Sequence, residues 1–161
     1  MLGQLIMIVG GLVVGVVAIA VAVLLGVRAR RPLAVDVLRR FSRLFNPTQM
    51  RTAGSRGAYA SVIQHVGRKS GRRYQTPVGA VATEDGFVIA LPYGTRSNWV
   101  RNVLASGAAT IVNDGHAYRV DRPELIPLET VATRFSASDQ RSQRLFRVGQ
   151  CLRVRRIAEA A

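Results

Sequence analysis

Residues 58–83 read AYASVIQHVGRKSGRRYQTPVGAVAT, and the way this run divides decides the fold. The β-branched residues between Ala58 and Val66 predict a strand that ends at Gly67, and Arg73 to Thr83 predicts a second strand returning beside it. Pro77 and Gly79 within the return mark an edge strand or a bulge, because proline cannot donate to a ladder and an interior glycine weakens one. The connection is GRKSGRRYQTP, residues 67–77, with Arg68, Lys69 and Ser70 between two glycines and Arg72 and Arg73 following. Glycine permits a tight loop whose exposed backbone N–H groups attract an anion. Arginine adds forked donors matched to phosphate and carboxylate. The same residues would also make an ordinary solvated basic turn, and the hairpin by itself leaves both readings open.

Working downstream, Asp85-Gly86 predicts a tight turn into FVIALPY, residues 87–93, whose continuous apolar character predicts a strand buried on both faces. SNWVRNVLASG, residues 97–107, predicts a helix with Ser97 as cap and Gly107 as stop. AATIVNDGHAYRV, residues 108–120, predicts a second hairpin turning at Asn113-Asp114-Gly115. Beyond it, Leu145, Phe146, Val148, Leu152, Val154 and Ile157 are interleaved with Arg144, Arg147, Arg153, Arg155 and Arg156. That pattern predicts basic amphipathic helices over residues 126–161, covering the sheet or touching lipid. Three strands, a helix and two strands predict a mainly β domain with helices, α+β in class and built as a small antiparallel barrel over residues 55–125.

Working upstream, no charged side chain occurs in residues 1–27, and Leu5 to Val27 is almost wholly aliphatic. At ~1.5 Å per residue such a helix exceeds the ~30 Å of a hydrocarbon core, which predicts a transmembrane anchor over residues 1–27. A cleaved signal peptide, with A-x-A spacings between Ala18 and Ala22, and a buried core helix are the competing readings. Arg28, Arg30, Arg31, Arg39, Arg40 and Arg43 follow the span, which places the remainder on the cytoplasmic side of a single-pass membrane protein. Gly11 and Gly15 offer a close-packing step for a homodimer. Residues 28–54 predict a basic juxtamembrane helix and linker. Ala34, Val37, Leu38, Phe41, Leu44 and Phe45 share its apolar face, which meets either the membrane interface or the domain, and Asn46-Pro47 ends it.

Of 161 residues, 23 are basic and 9 acidic, and the formal charge of +14 lies entirely after position 27. The balance calls for a polyanionic partner: lipid headgroups, nucleic acid or a small molecule. Nucleic acid is the least expected, since no RNP-like or recognition-helix pattern interleaves aromatics with the charges. Cys151 is the only cysteine, so there is neither a disulfide framework nor a thiolate cluster, and its expected role is packing. His65 and His116 lie in no metal-binding spacing and no G-x-S-x-G elbow is present, so no metal site is expected and each histidine reads as a satisfied strand residue. Any redox or group-transfer chemistry would come from a bound cofactor.

Taken together, GRKSGRRYQTP and the later YGTRSNWVRNVLASG, residues 93–107, resemble the deazaflavin-dependent nitroreductase family. The matching positions are Gly67, Arg68, Lys69, Ser70, Gly71 and Pro77, then Gly94, Trp99, Asn102, Ala105 and Gly107. The resemblance covers about residues 55–125 and implies a split β-barrel of the FMN-binding type. It also implies bound coenzyme F-420, a deazaflavin with a phospholactyl and polyglutamate tail, in preference to FMN. Arg68, Lys69, Arg72 and Arg73 would hold phosphate and glutamates, beside Gly71 and Pro77, with Ser70 and Thr76 donating hydrogen bonds. Gly94, Thr95, Arg96, Ser97 and Asn98 would border the ring, with Arg96 a further phosphate ligand. Asn102 would complete the site, and Trp99 would either anchor the core or touch the ring. Tyr93 and Tyr74 are the candidate proton donors, and a lipophilic small molecule such as a quinone or nitro compound is the implied substrate. The chain departs from the family in a shorter loop before Trp99, in Tyr93 itself, and in lacking a tyrosine-rich segment after residue 125. A non-catalytic binder of lipid or another cofactor, and a basic module for anionic lipid or nucleic acid, are the alternatives.

Overall fold

A computed structural model describes residues 15–26, 29 and 49–157 of the chain. Two compact units divide it, Met1–Phe41 and Ser42–Ala161. In the first, residues 15–26 form a helix whose apolar side chains, among them Val16, Ile19 and Leu25, are exposed. No helix among the described residues is long and apolar enough to cross a membrane. The remainder of the expected span, and the amphipathic stripe from Ala34 to Phe45, lie outside the described residues.

The described part of the second unit is an antiparallel sheet with helices. Its strands are β1 (Ser61–Val66), β2 (Arg73–Val78), β3 (Ala80–Ala82), β4 (Gly86–Ala90), β5 (Ala108–Asn113), β6 (His116–Pro127) and β7 (Gln150–Arg156). Helix α1 (Asn98–Ser106) lies between β4 and β5. Two short 3-10 turns and helix α2 (Ala137–Leu145) lie between β6 and β7. The order across the sheet is β2-β1-β5-β6-β7-β4-β3. Its two edge strands, β2 and β3, are separated in sequence by Gly79 alone. Successive Cα atoms are ~3.8 Å apart, so the two edges must meet there, and the sheet curls on itself into a barrel closed by one run of chain that changes partners at Gly79. The Pro77 and Gly79 signals therefore marked the seam.

The barrel interior holds Ile63, Phe87, Ile89, Ile111, Val120, Leu152 and Val154, each at most 1% exposed. Helix α1 closes one end by adding Val100 and Val103 to this cluster, with Trp99 packed against it. Burying each such side chain contributes roughly 1.5–3 kcal/mol. A second cluster forms on the outer side of β4 and β7, where Val88, Ile126, Phe135 and Cys151 lie beneath Leu128 and Val131. Strand β4 is consequently buried on both faces, as its unbroken apolar sequence predicts.

The hairpin from β5 to β6 turns through Asp114 and Gly115 at φ 51° and 81°, the positive pair of a type I′ turn. At the other hairpin, Gly86 belongs to β4 and not to the turn. A Cβ there would stand 2.0 Å from the Val154 carbonyl oxygen, so glycine is needed for close strand packing. The principal correction concerns residues 126–161, where one short helix, α2, stands among elements expected to be helical throughout. Strand β6 runs on to Pro127, and Gln150–Arg156 is the strand between β4 and β6. Its apolar residues alternate with arginines at a period of two, but a run this short fits either periodicity until its partners are known.

Candidate functional site

The basic loop connects β1 to β2. Gly67 N–H donates to the Arg72 carbonyl and Gly71 N–H to the Gly67 carbonyl, each at 2.8 Å. Gly71 has φ 65°, a left-handed conformation that glycine adopts without penalty. At Gly67 the demand is space, since a Cβ would approach Ser70 Oγ to 2.5 Å and Tyr74 Cε2 to 2.6 Å. Ser70 braces the loop internally: its hydroxyl pairs with Tyr74 Oη at 3.1 Å and accepts from Arg72 N–H at 3.4 Å. Arg68, Lys69, Arg72 and Arg73 are all exposed. Among the described residues none of the four is paired with a carboxylate; the ion pairs are Arg153–Glu124 and Arg155–Asp85.

The loop is held from the other motif. Asn102, on α1 and only 6% exposed, turns its Oδ1 toward Arg68 and accepts from the backbone N–H at 3.2 Å and from Nη1 at 2.9 Å. Asn102 Nδ2 lies 3.3 Å from His65 Nδ1. His65 Nε2 lies 3.3 Å from Thr76 Oγ1, and its ring stacks on Tyr74 at 5.8 Å. His65 is 6% exposed, and burial lowers its pKa from the ordinary value. It is the satisfied strand residue expected from sequence. His116 is exposed, with Nδ1 3.0 Å from the Asp114 carbonyl. Cys151 is fully buried and its thiol is pushed up to about 11 by desolvation, which leaves it inert.

The second motif enters α1 through a turn in which Gly94, at φ 72°, donates to the Leu91 carbonyl at 2.9 Å. Ser97 occupies the N-cap position but its side chain makes no capping bond; the hydroxyl donates instead to the Gly94 carbonyl at 3.2 Å. The first-turn N–H groups of α1 are therefore left without that side-chain acceptor, at the end where the helix dipole favours an anion. Asn98 is exposed and four residues ahead of Asn102, hence one turn away on the same helix face. Thr95 is half-buried and Arg96 exposed. Tyr93 is half-buried in the turn, Tyr74 is 44% exposed, and Thr76 and Pro77 are half-buried in β2.

Thr76, His65, Asn102 and Arg68 thus form one hydrogen-bonded chain, to which Tyr74 and Ser70 attach by the stacking of Tyr74 on His65, while Gly94 to Asn98 leads into the helix that carries Asn102. Sequence reading placed Asn102 among the cofactor ligands; within the protein its Oδ1 meets Arg68 and its Nδ2 meets His65. The available signal was an amide between Trp99, Val100 and Val103 on the helix face that must be buried. The donor set suits a polyanionic tail. Four exposed cations occur within six residues on a braced loop, tied to α1 at Asn102, with no described carboxylate paired with them.

No curated protein matches the chain by sequence. A domain-swapped dimer superposes with a TM-score of 0.50 at 13% identity, over 73% of this chain and 96% of its own. An F420-H2 dependent reductase, FDR-A, gives 0.46 at 12% identity, over 58% of this chain and 92% of its own. An FMN-binding protein from Syntrophomonas wolfei subsp. wolfei gives 0.42 at 15% identity, over 76% and 91% respectively. The model of the F420H(2)-dependent quinone reductase family matches residues 39–148. That match takes in the basic loop, the helix that clamps it and most of the barrel around them, so the chain belongs to the F420H(2)-dependent quinone reductase family and is an oxidoreductase of that deazaflavin-dependent kind.

Proposed function

We propose that the protein transfers a hydride between coenzyme F-420 and a lipophilic acceptor such as a quinone or a nitro compound, beside a membrane that residues 5–27 enter. The observation that carries this reading is the Arg68–Asn102 contact, which joins the two motifs and holds the basic loop open to solvent. When bound, the deazaflavin supplies the hydride chemistry through C5 of its ring. Lys69, Arg72 and Arg73 then hold the phosphate and glutamates of the tail, while Arg68 fixes the loop to α1. The open first turn of α1 and the Gly94–Asn98 segment border the ring, and Trp99 anchors this wall to the core. Tyr93 and Tyr74 are the hydroxyls available to give a proton to the reduced acceptor. Tyr74 is held by Ser70 and by stacking on His65, which suits a donor that must keep one orientation.

Membrane attachment rests on the uncharged first 27 residues and the arginines that follow them, which favour a cytoplasmic domain. Pairing of two copies belongs to the same proposal, since a protein of this fold forms a domain-swapped dimer. The test is titration of the full-length protein in detergent with F-420 and with FMN, followed by fluorescence, and then oxidation of reduced F-420 by a quinone. Saturable F-420 binding that weakens with salt is expected. Absence of F-420 binding, or tighter binding of FMN, rejects the cofactor assignment.

A further inference from the structure

The Arg68 contact has a polarity that runs on through the interior. Arg68 presents only donors, its N–H and its guanidinium, so the Asn102 atom facing it must be the carbonyl oxygen. Asn102 Nδ2 then faces His65 Nδ1 as a donor at 3.3 Å. His65 Nδ1 must accordingly carry a lone pair, which puts the ring proton on Nε2, directed at Thr76 Oγ1, 3.3 Å away. Every partner is thereby committed from β2 through β1 to α1 and back to the loop. We infer that neutral His65 is a positioning residue for the basic loop, acting through Asn102 to hold Arg68, and that protonating it releases the loop.

The chemistry of release is simple. A proton on Nδ1 would oppose the Asn102 NH₂, donor against donor, and relief requires the amide to rotate. Rotation would turn NH₂ toward Arg68 and exchange two good contacts for two repulsive ones. No carboxylate offsets the new charge among the described residues. The groups facing His65 are the Tyr74 ring, Thr76 Oγ1 and Asn102, with the Arg68 cation on the far side of the amide. Burial lowers the His65 pKa from its ordinary value and confines the transition to acid. Acidification would loosen the tail-holding loop through His65 and Asn102.

This inference rests on the proposed tail site, and its test separates the two. In the full-length protein, affinity for oxidised F-420 is measured from pH 8 to pH 5 for wild type, His65→Asn and His65→Phe. The Asn oxygen replaces the Nδ1 acceptor but cannot be protonated, and the ligand's own ionisations cancel in the ratio of wild type to His65→Asn. Expected is a ratio of the two affinities that moves about tenfold against wild type between pH 8 and pH 5, the size of one charged hydrogen bond. His65→Phe should be weak throughout. A wild type whose pH profile matches that of His65→Asn overturns the inference. Nitrogen NMR of His65 and the Arg68 amide needs no ligand: an Nε2–H tautomer and an Arg68 amide that shifts with His65 protonation are expected. An Nδ1–H tautomer overturns the inference even if F-420 binds. Failure to bind F-420 at pH 8, with the NMR result as expected, would reject only the cofactor reading.

Discussion

Asn102 Oδ1 accepts two hydrogen bonds from Arg68, from the backbone N–H at 3.2 Å and from the guanidinium at 2.9 Å, across 34 residues of sequence. This contact explains why GRKSG and W-x-x-N occur together. The asparagine lies among Val100 and Val103 on the buried side of α1, so its amide must be satisfied there, and the loop N–H it meets would otherwise have no intrahairpin acceptor. Satisfying both fixes the tip of the hairpin relative to the helix.

Replacing Asn102 with Ala strands the Arg68 N–H and the His65 acceptor together. The expected cost is about 2 kcal/mol of stability, the penalty for leaving a buried polar group unpaired, accompanied by weaker F-420 binding. Urea denaturation and fluorescence titration of the same variant check both. Full stability in Asn102→Ala would show that the clamp is incidental.

The loop cations behave differently, because their side chains are exposed and bear no load in the fold. Changing Lys69, Arg72 and Arg73 together to Gln should lower F-420 affinity about 1000-fold, roughly tenfold for each charge-assisted contact. The thermal midpoint should stay unchanged. The salt dependence of binding should flatten in the triple variant, which a titration at two ionic strengths would reveal.

The two loop glycines should respond to alanine differently. Gly67→Ala drives a methyl into Ser70 Oγ and the Tyr74 ring, displacing Tyr74 from His65. It should cost about 2 kcal/mol, as overpacking does, and weaken F-420 binding as well. Gly71→Ala meets no atom within 4 Å but keeps φ at 65°. It should cost about 1 kcal/mol in backbone strain and change affinity little.

Stability should fall at both ends of the pH range, for separate reasons. The folded-state pKa of His65 is lowered by burial, so below about pH 6.5 the unfolded chain takes up a proton that the native one resists, and stability declines as pH falls. Tyr59, 79% exposed, donates its hydroxyl to Asp139, and that bond raises its pKa to about 12 from 10.0. Its contribution is complete below pH 10.0 and is lost as pH rises toward 12. Denaturation at stepped pH should show both slopes, with Tyr59→Phe removing the alkaline one. An alkaline slope unaltered in that variant would mean Tyr59 is not its source.

Local rules made much of this chain readable. The strand ending at Gly67, the Asp114-Gly115 turn, the double burial of β4 and the stop at Gly107 each depend on a few adjacent residues whose backbone preferences and hydrophobicity act nearby. The residue types of the GRKSG and W-x-x-N pair announce a basic loop and a helix start in the same local way, whereas their reading as a cofactor site came from the resemblance to a family. Tertiary structure decided what depends on distant partners. Gln150–Arg156 becomes a strand only because β4 and β6, far upstream, leave a gap of hydrogen-bonding groups between them. Gly79 becomes a seam only because the sheet's two edges meet. Ser97 spends its hydroxyl on Gly94, and Asn102 supports the loop from within, because burial forces each polar group onto whichever partner the fold brings within reach.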